Sequence, residues 1–148
     1  MKQKTTSLMH RLQVPCTKEN LREIRFFVEN ALTHYSISAN DIYFIKLAID
    51  EICANLIIHS HHCNQDDSIE VSIRHEGSTF VFEIHDQSND NFNLLEYNAP
   101  DIQHIVSNRK NGNMGLMLVK KIMDEIEVER KEGHNICRLY KSIPQANH

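Results

Sequence analysis

At Ser68 the hydrophobic period of this chain changes from that of a helix to that of a strand, and few architectures accommodate both halves. Upstream, apolar residues recur at helical spacing, first at Leu21, Ile24, Val28, Ala31 and Leu32, then at Ile42, Ile45, Ile49, Ile52 and Leu56. Downstream the period is two, with Ile69, Val71 and Ile73, a turn around Glu76 and Gly77, then Phe80, Phe82 and Ile84. A period near 3.6 buries one stripe of a helix, whereas a period of two buries one face of a strand. Helices first and strands mostly after them imply an α+β sandwich, with an antiparallel or mixed sheet covered by helices on one face.

Start signals sharpen the boundaries. Thr17 is placed as an N-cap with Glu19 in the first turn of the leading helix, and Ser38 with Asp41 forms an S-x-x-D capping box for the second. Residues 87–111 are a polar, Asn-rich connection with little periodicity, long enough to suggest a lid. A third helical stretch follows, with Leu116, Val119, Lys120 and Met123 on one face, and the segments IEVER and ICRLYKS flank a turn at Glu132 to Asn135.

The 148 residues fit one domain, with 41% hydrophobic residues to build a core. Sixteen Lys and Arg against twenty Asp and Glu leave a net charge of −4, which disfavours duplex DNA or anionic lipid as the main partner. The opening MKQKTTSLMHRLQVP lacks the apolar stretch of a secretion signal, and no window has the roughly 18 to 20 apolar residues of a membrane span, so a cytoplasmic location is expected. Cys16, Cys53, Cys63 and Cys137 are scattered without a CxxC pair, and no disulfide is expected.

Three places can carry chemistry, each with a plain structural reading beside it. Glu51 and Asn55 stand one helical turn apart with His59 a turn beyond, where a carboxylate and an amide can face a cleft or simply meet solvent. Asp86 ends the second hairpin strand, a position for ligand contact on a rigid scaffold or for a turn former. Gly112 and Gly115 open the third helix, whose free backbone N–H groups can hold phosphate, though glycine there is also ordinary capping. His59, His61, His62 and Cys63 form a local cluster that can ligate a metal or belong to a solvated loop.

Taken in order, these pieces resemble one family. LAIDEICANLIIHS resembles the N-box, FEIHDQSNDNF the first glycine box and NGNMGLMLVKKIMDEIEVER the second glycine box of the GHKL (Bergerat) ATP-binding fold. More narrowly, the chain is similar to the anti-sigma-factor serine kinases of bacterial partner-switching systems, from about Val14 to Ile143. The resemblance implies a single histidine-kinase-like ATPase domain over 1–148, a two-layer sandwich on a mixed sheet. Its parts are a strand and leading helix (about 7–35), an N-box helix (about 39–60), a hairpin (about 68–86), an ATP lid (about 87–111), and a closing helix and strands (about 112–143).

The resemblance also implies roles. Glu51 becomes the general base on the hydroxyl that receives the γ-phosphate, Asn55 a Mg2+ ligand, and Asp86 the acceptor for the adenine amine. Ser88 lines the nucleotide, Arg109 and Lys110 screen the transferring charge, and Gly112, Asn113, Met114, Gly115 and Leu116 hold the phosphates. The implied cofactors are ATP and Mg2+, and the implied partners a sigma factor, a small STAS-type anti-anti-sigma protein and a second copy in a homodimer. In the family the first glycine box reads D-x-G-x-G, whereas here it is Asp86, Gln87, Ser88, Asn89, Asp90, and Asn111 and Asn113 stand where the second box usually has glycine. Two further readings therefore stay open: a docking module that keeps the fold without nucleotide, and an ATP-dependent switch with slow hydrolysis.

Overall fold

The computed structural model describes residues 9–60, 63–87, 113–131 and 134–144, with the backbone alone at 59, 60, 87, 113–116, 130, 131 and 134. Strand β1 (His10–Pro15) leads into helix α1 (Asn20–Leu32) and helix α2 (Ala39–Ala54), which is followed by a π-helical segment (Asn55–Ser60). Strands β2 (Ser68–Glu76) and β3 (Thr79–Gln87) form the expected hairpin, with Gly77 at φ +63° in its turn. Helix α3 (Asn113–Ile122) and strands β4 (Glu125–Lys131) and β5 (His134–Ser142) complete the chain.

The helical stripes are buried as their spacing requires, with Ile24, Val28, Ala31 and Leu32 of α1 and Ile45, Ile49 and Ile52 of α2 all in the core. Ser38 caps α2 as expected, its Oγ accepting from Asp41 N at 3.1 Å. Thr17 does not cap α1. That helix starts only at Asn20, and Glu19 at its N-cap makes no side-chain bond. Thr17 instead closes a turn, its carbonyl accepting from Asn20 N at 3.0 Å. Val119 of α3 and Met123 just after the helix are buried but Lys120 is exposed, so Ile122 rather than Lys120 shares the core face.

The sheet order is β1-β2-β3-β5-β4, and every described pairing is antiparallel, not mixed. The reason is the position of β4, which runs parallel to β3 but has β5 between them, so the two never pair. Two apolar rows cross the sheet, Ile73–Phe82–Leu139–Ile126 and Val71–Ile84–Cys137–Val128. The helices pack on this face, α1 against α2 and α2 against α3. Two ion pairs tie α1 to α2, Arg25 to Asp50 at 2.9 Å and Lys46 to Glu29 at 3.1 Å.

The opposite face is charged. Glu83 accepts from Arg74 (3.1 Å), Arg138 (2.9 Å) and His85 (2.9 Å), and Arg138 also reaches Glu129 at 2.7 Å. Val81 and Ile136 are buried on this face, flanked in register by Arg74 and Tyr140 and by His85 and Glu129. No helix among the described residues is long and apolar enough to cross a membrane.

Candidate functional site

A third row on the helix-covered face, Ile69–Asp86–Asn135, breaks the apolar pattern of the other two. Asp86 is 1% exposed. A carboxylate that deep is tolerable only if hydrogen bonds replace its water. Asn135 supplies two, its backbone N donating to Asp86 Oδ1 at 2.8 Å and its side-chain Nδ2 to Oδ2 at 3.2 Å. The amide has a second end, and Asn135 Oδ1 is the buried side-chain acceptor with no hydrogen-bond partner among the described residues. Such an atom costs free energy unless something donates to it.

The end of α2 lies over this part of the sheet. Burial pushes the Cys16 thiol up to about 12, with the charges of Asp67 and Asp86 adding to it, and burial and Asp86 do the same for Cys137, also to about 12. Cys53, on the last turn of α2, is raised by its complete burial and then by Asp50, Cys137 and Cys16. The thiols thus bring the last turn of α2 near β5 and the residue that follows β1, with Asp86 close to Cys16 and Cys137. All four cysteines are free, and these raised values keep Cys16, Cys53 and Cys137 protonated and inert.

On the same turn of α2, Asn55 is buried at 3% exposure and donates from Nδ2 to the Glu51 carbonyl at 3.0 Å. It is also the C-cap residue, where the helix widens into the π segment. Such widenings cluster at functional sites. Glu51 is half-buried, and no hydrogen bond or ion pair engages its carboxylate among the described residues, whereas the adjacent Asp50 is held by Arg25.

Of the residues expected from sequence, Glu51 and Asn55 stand a turn apart at the end of α2, and Asp86 is buried on the helix-covered face of the sheet. The backbone of Asn113, Met114, Gly115 and Leu116 forms the first turn of α3, which packs on α2. Ser88, Arg109, Lys110 and Gly112 lie outside the described residues, as do His61 and His62 of the His cluster. Asn135 escaped the sequence reading because it was assigned to the turn before β5. The signal was present: Asn135, Cys137 and Leu139 alternate as one face of a strand, and an amide on an apolar face calls for a partner.

Among curated proteins, the serine-protein kinase RsbW of Bacillus subtilis (strain 168) is 25% identical over 137 residues, spanning 85% of this chain and 81% of its own length. RsbW of Bacillus velezensis is 23% identical over 137 residues with the same coverage, 85% and 81%. Among solved structures, the RsbU and RsbW domains of Rv1364c from Mycobacterium tuberculosis superpose with a TM-score of 0.59 at 15% identity, covering 93% of this chain and 32% of that one. A chain of the SiaB–SiaC complex from Pseudomonas aeruginosa reaches a TM-score of 0.58 at 14% identity, covering 90% of this chain and 89% of its own. These two likenesses concern the fold. The model of the histidine kinase-like ATPase domain matches residues 14–141, and with the sandwich, the α2 terminus and the buried Asp86 arranged as described, the chain belongs to that family.

Proposed function

We propose that this protein is an anti-sigma regulatory factor that transfers the γ-phosphate of Mg-ATP to a serine of a small STAS-type antagonist protein, and acts as a cytoplasmic homodimer. The observation that carries the reading is the Glu51 carboxylate, unengaged among the described residues and one turn from buried Asn55, together with the buried acceptors of Asp86 and Asn135 on the sheet. The relatives named serine-protein kinase, with most of both chains covered, support the same reaction class.

The described residues fit such a ligand. Asp86 and the unpaired Asn135 Oδ1 both accept, which suits the exocyclic amine of adenine. The amide of Asn55 suits a hard cation that shares its shell with phosphates. When bound, Mg-ATP supplies the phosphoryl group and neutralises part of its charge. The chain then has two tasks. Glu51 takes the proton of the incoming serine hydroxyl, and the first turn of α3, Asn113, Met114, Gly115 and Leu116, offers backbone N–H groups to the phosphates, with Gly112 assigned the same role by the family resemblance. By the family resemblance, Ser88 is assigned to the nucleotide and Arg109 and Lys110 to screening developing charge.

Glu51→Ala is expected to lower phosphate transfer to the antagonist by roughly a hundredfold or more while leaving nucleotide affinity unchanged, because a base serves the chemistry and not the grip. Radiolabel transfer and nucleotide titration measure the two separately, and transfer at the normal rate would remove the role. One sequence observation favours a second reading. Ser88 and Asp90 stand where D-x-G-x-G has glycine, and side chains there fill space a ligand uses. In a docking module without nucleotide, calorimetry with Mg-ATP gives no heat even at millimolar concentration.

A further inference from the structure

Five large apolar side chains are exposed among the described residues, and three of them, Tyr43 (55%) and Phe44 (42%) on α2 and Met117 (54%) on α3, belong to two helices that pack together. Tyr43 and Phe44 meet edge to face at 5.4 Å. Beside them runs a groove of about 290 Å3 between the first half of α2 and the last half of α3, floored by Phe44, Ile45, Leu118 and Ile122. Lys121 and Lys141 stand at its rim with Asp41.

The charges at that rim are uneven. Arg11, Arg25, Lys46, Arg74 and Arg138 all have carboxylate partners, whereas Lys121 and Lys141 have none among the described residues, nor has exposed Lys120. Asp41 already sits in the first turn of α2, where the positive end of the helix dipole favours an acid. Asp124, the next acid along from α3, accepts from Ser142 N. On a chain of net charge −4, an apolar groove edged by unmatched lysines is a local reversal of sign.

We infer that this groove docks an amphipathic helix of a partner protein, with its apolar residues on Phe44 and Leu118 and acidic residues beside them on Lys121 and Lys141. A groove between two helices takes a third helix by its apolar stripe, and acidic flanks match the unpaired cations. A second copy of this chain is disfavoured, because a twofold contact sets the patch on itself and opposes lysine to lysine. A lipid surface is disfavoured too, since the floor is recessed and only three cations accompany it. Ile45 in the groove lies six residues, about 9 Å along the helix axis, before Glu51.

The test pans a display library of randomised helical peptides on the full-length protein and measures the selected peptides by fluorescence anisotropy. The expected peptides place Asp or Glu beside apolar residues at i, i+3, i+4 spacing. They bind the K121E/K141E double variant at least tenfold more weakly, and salt weakens them on the wild type. Leu118→Arg, which blocks the groove without touching either lysine, produces a similar loss. Both lysine changes lie at the groove rim, and an unchanged melting temperature verifies the fold. Four results overturn the inference: selected peptides without acidic enrichment, affinity unchanged in K121E/K141E, a concentration-dependent dimer in sedimentation that K121E/K141E abolishes, or binding to phosphatidylserine vesicles that it abolishes.

Discussion

Asp86 is buried on an apolar sheet face, where Asn135, 49 residues later, gives it two hydrogen bonds. The amide is half spent in doing so, and that asymmetry makes Asn135 a sharper probe than Asp86 itself. Asn135→Ala removes one donor to a charged group, about 1.5–3 kcal/mol, but also removes a buried acceptor left unpaired, about 1–3 kcal/mol in the other direction. Stability should therefore move by no more than about 2 kcal/mol in either direction in denaturant unfolding. Nucleotide affinity should drop several-fold for ATP and little for ITP, whose six-position carries no amine to donate. Equal loss for both nucleotides in titration removes the acceptor role. Asp86→Asn, by contrast, is expected to weaken both adenine binding and the fold, because its amide donors would face the donors of Asn135.

At the level of elements, the two N-termini that looked alike in sequence behave differently. Ser38 bonds the Asp41 N–H of α2, while Thr17 lies three residues before α1 and closes a preceding turn. Ser38→Ala should cost about 1 kcal/mol in equilibrium unfolding and Thr17→Ala clearly less, and the reverse order would contradict the cap assignment. The end of α2 also departs from a simple helix. The expected 39–60 element is α-helical only to Ala54, after which the π segment carries Asn55, and Cys63 turns back at φ +58° to donate its N–H to the Ile57 carbonyl at 2.8 Å. Nothing in the apolar spacing of Ile52, Leu56 and Ile57 separates these two helix types, because both bury nearly the same stripe.

Across the whole molecule, two clusters couple the fold to pH. Burial alone would raise the Glu83 carboxyl, but hydrogen bonds from His85, Arg138 and Arg74 outweigh it and hold the group at about 2 instead of 4.5. The unfolded chain takes up that proton first, so stability present above pH 4.5 is lost as the pH falls from 4.5 towards 2. The second cluster centres on His10, which contacts Tyr35 at 3.2 Å and lies near His34 and His75. Burial first, then the two neighbouring histidines, lower the His10 pKa below 6.5, so stability begins to fall as the pH drops through 6.5. Denaturant midpoints measured against pH should decline in two stages. His10→Gln should flatten the first and leave the second, and an unchanged first stage would place its origin elsewhere.

The amino-acid sequence by itself determined the helices, the hairpin, the Ser38 cap and the α+β class, because each rests on residues within a turn or a strand length of one another. It also placed Glu51 and Asn55 on one helical turn, through a spacing of four. Only the tertiary structure decided that the sheet is antiparallel throughout, that Asn135 faces Asp86, that Glu83 sits among Arg74, Arg138 and His85, and that Phe44 and Leu118 floor one groove. Those contacts join residues far apart in the chain, and their register depends on how strands and helices pack together, for which no local run of side chains carries a signal.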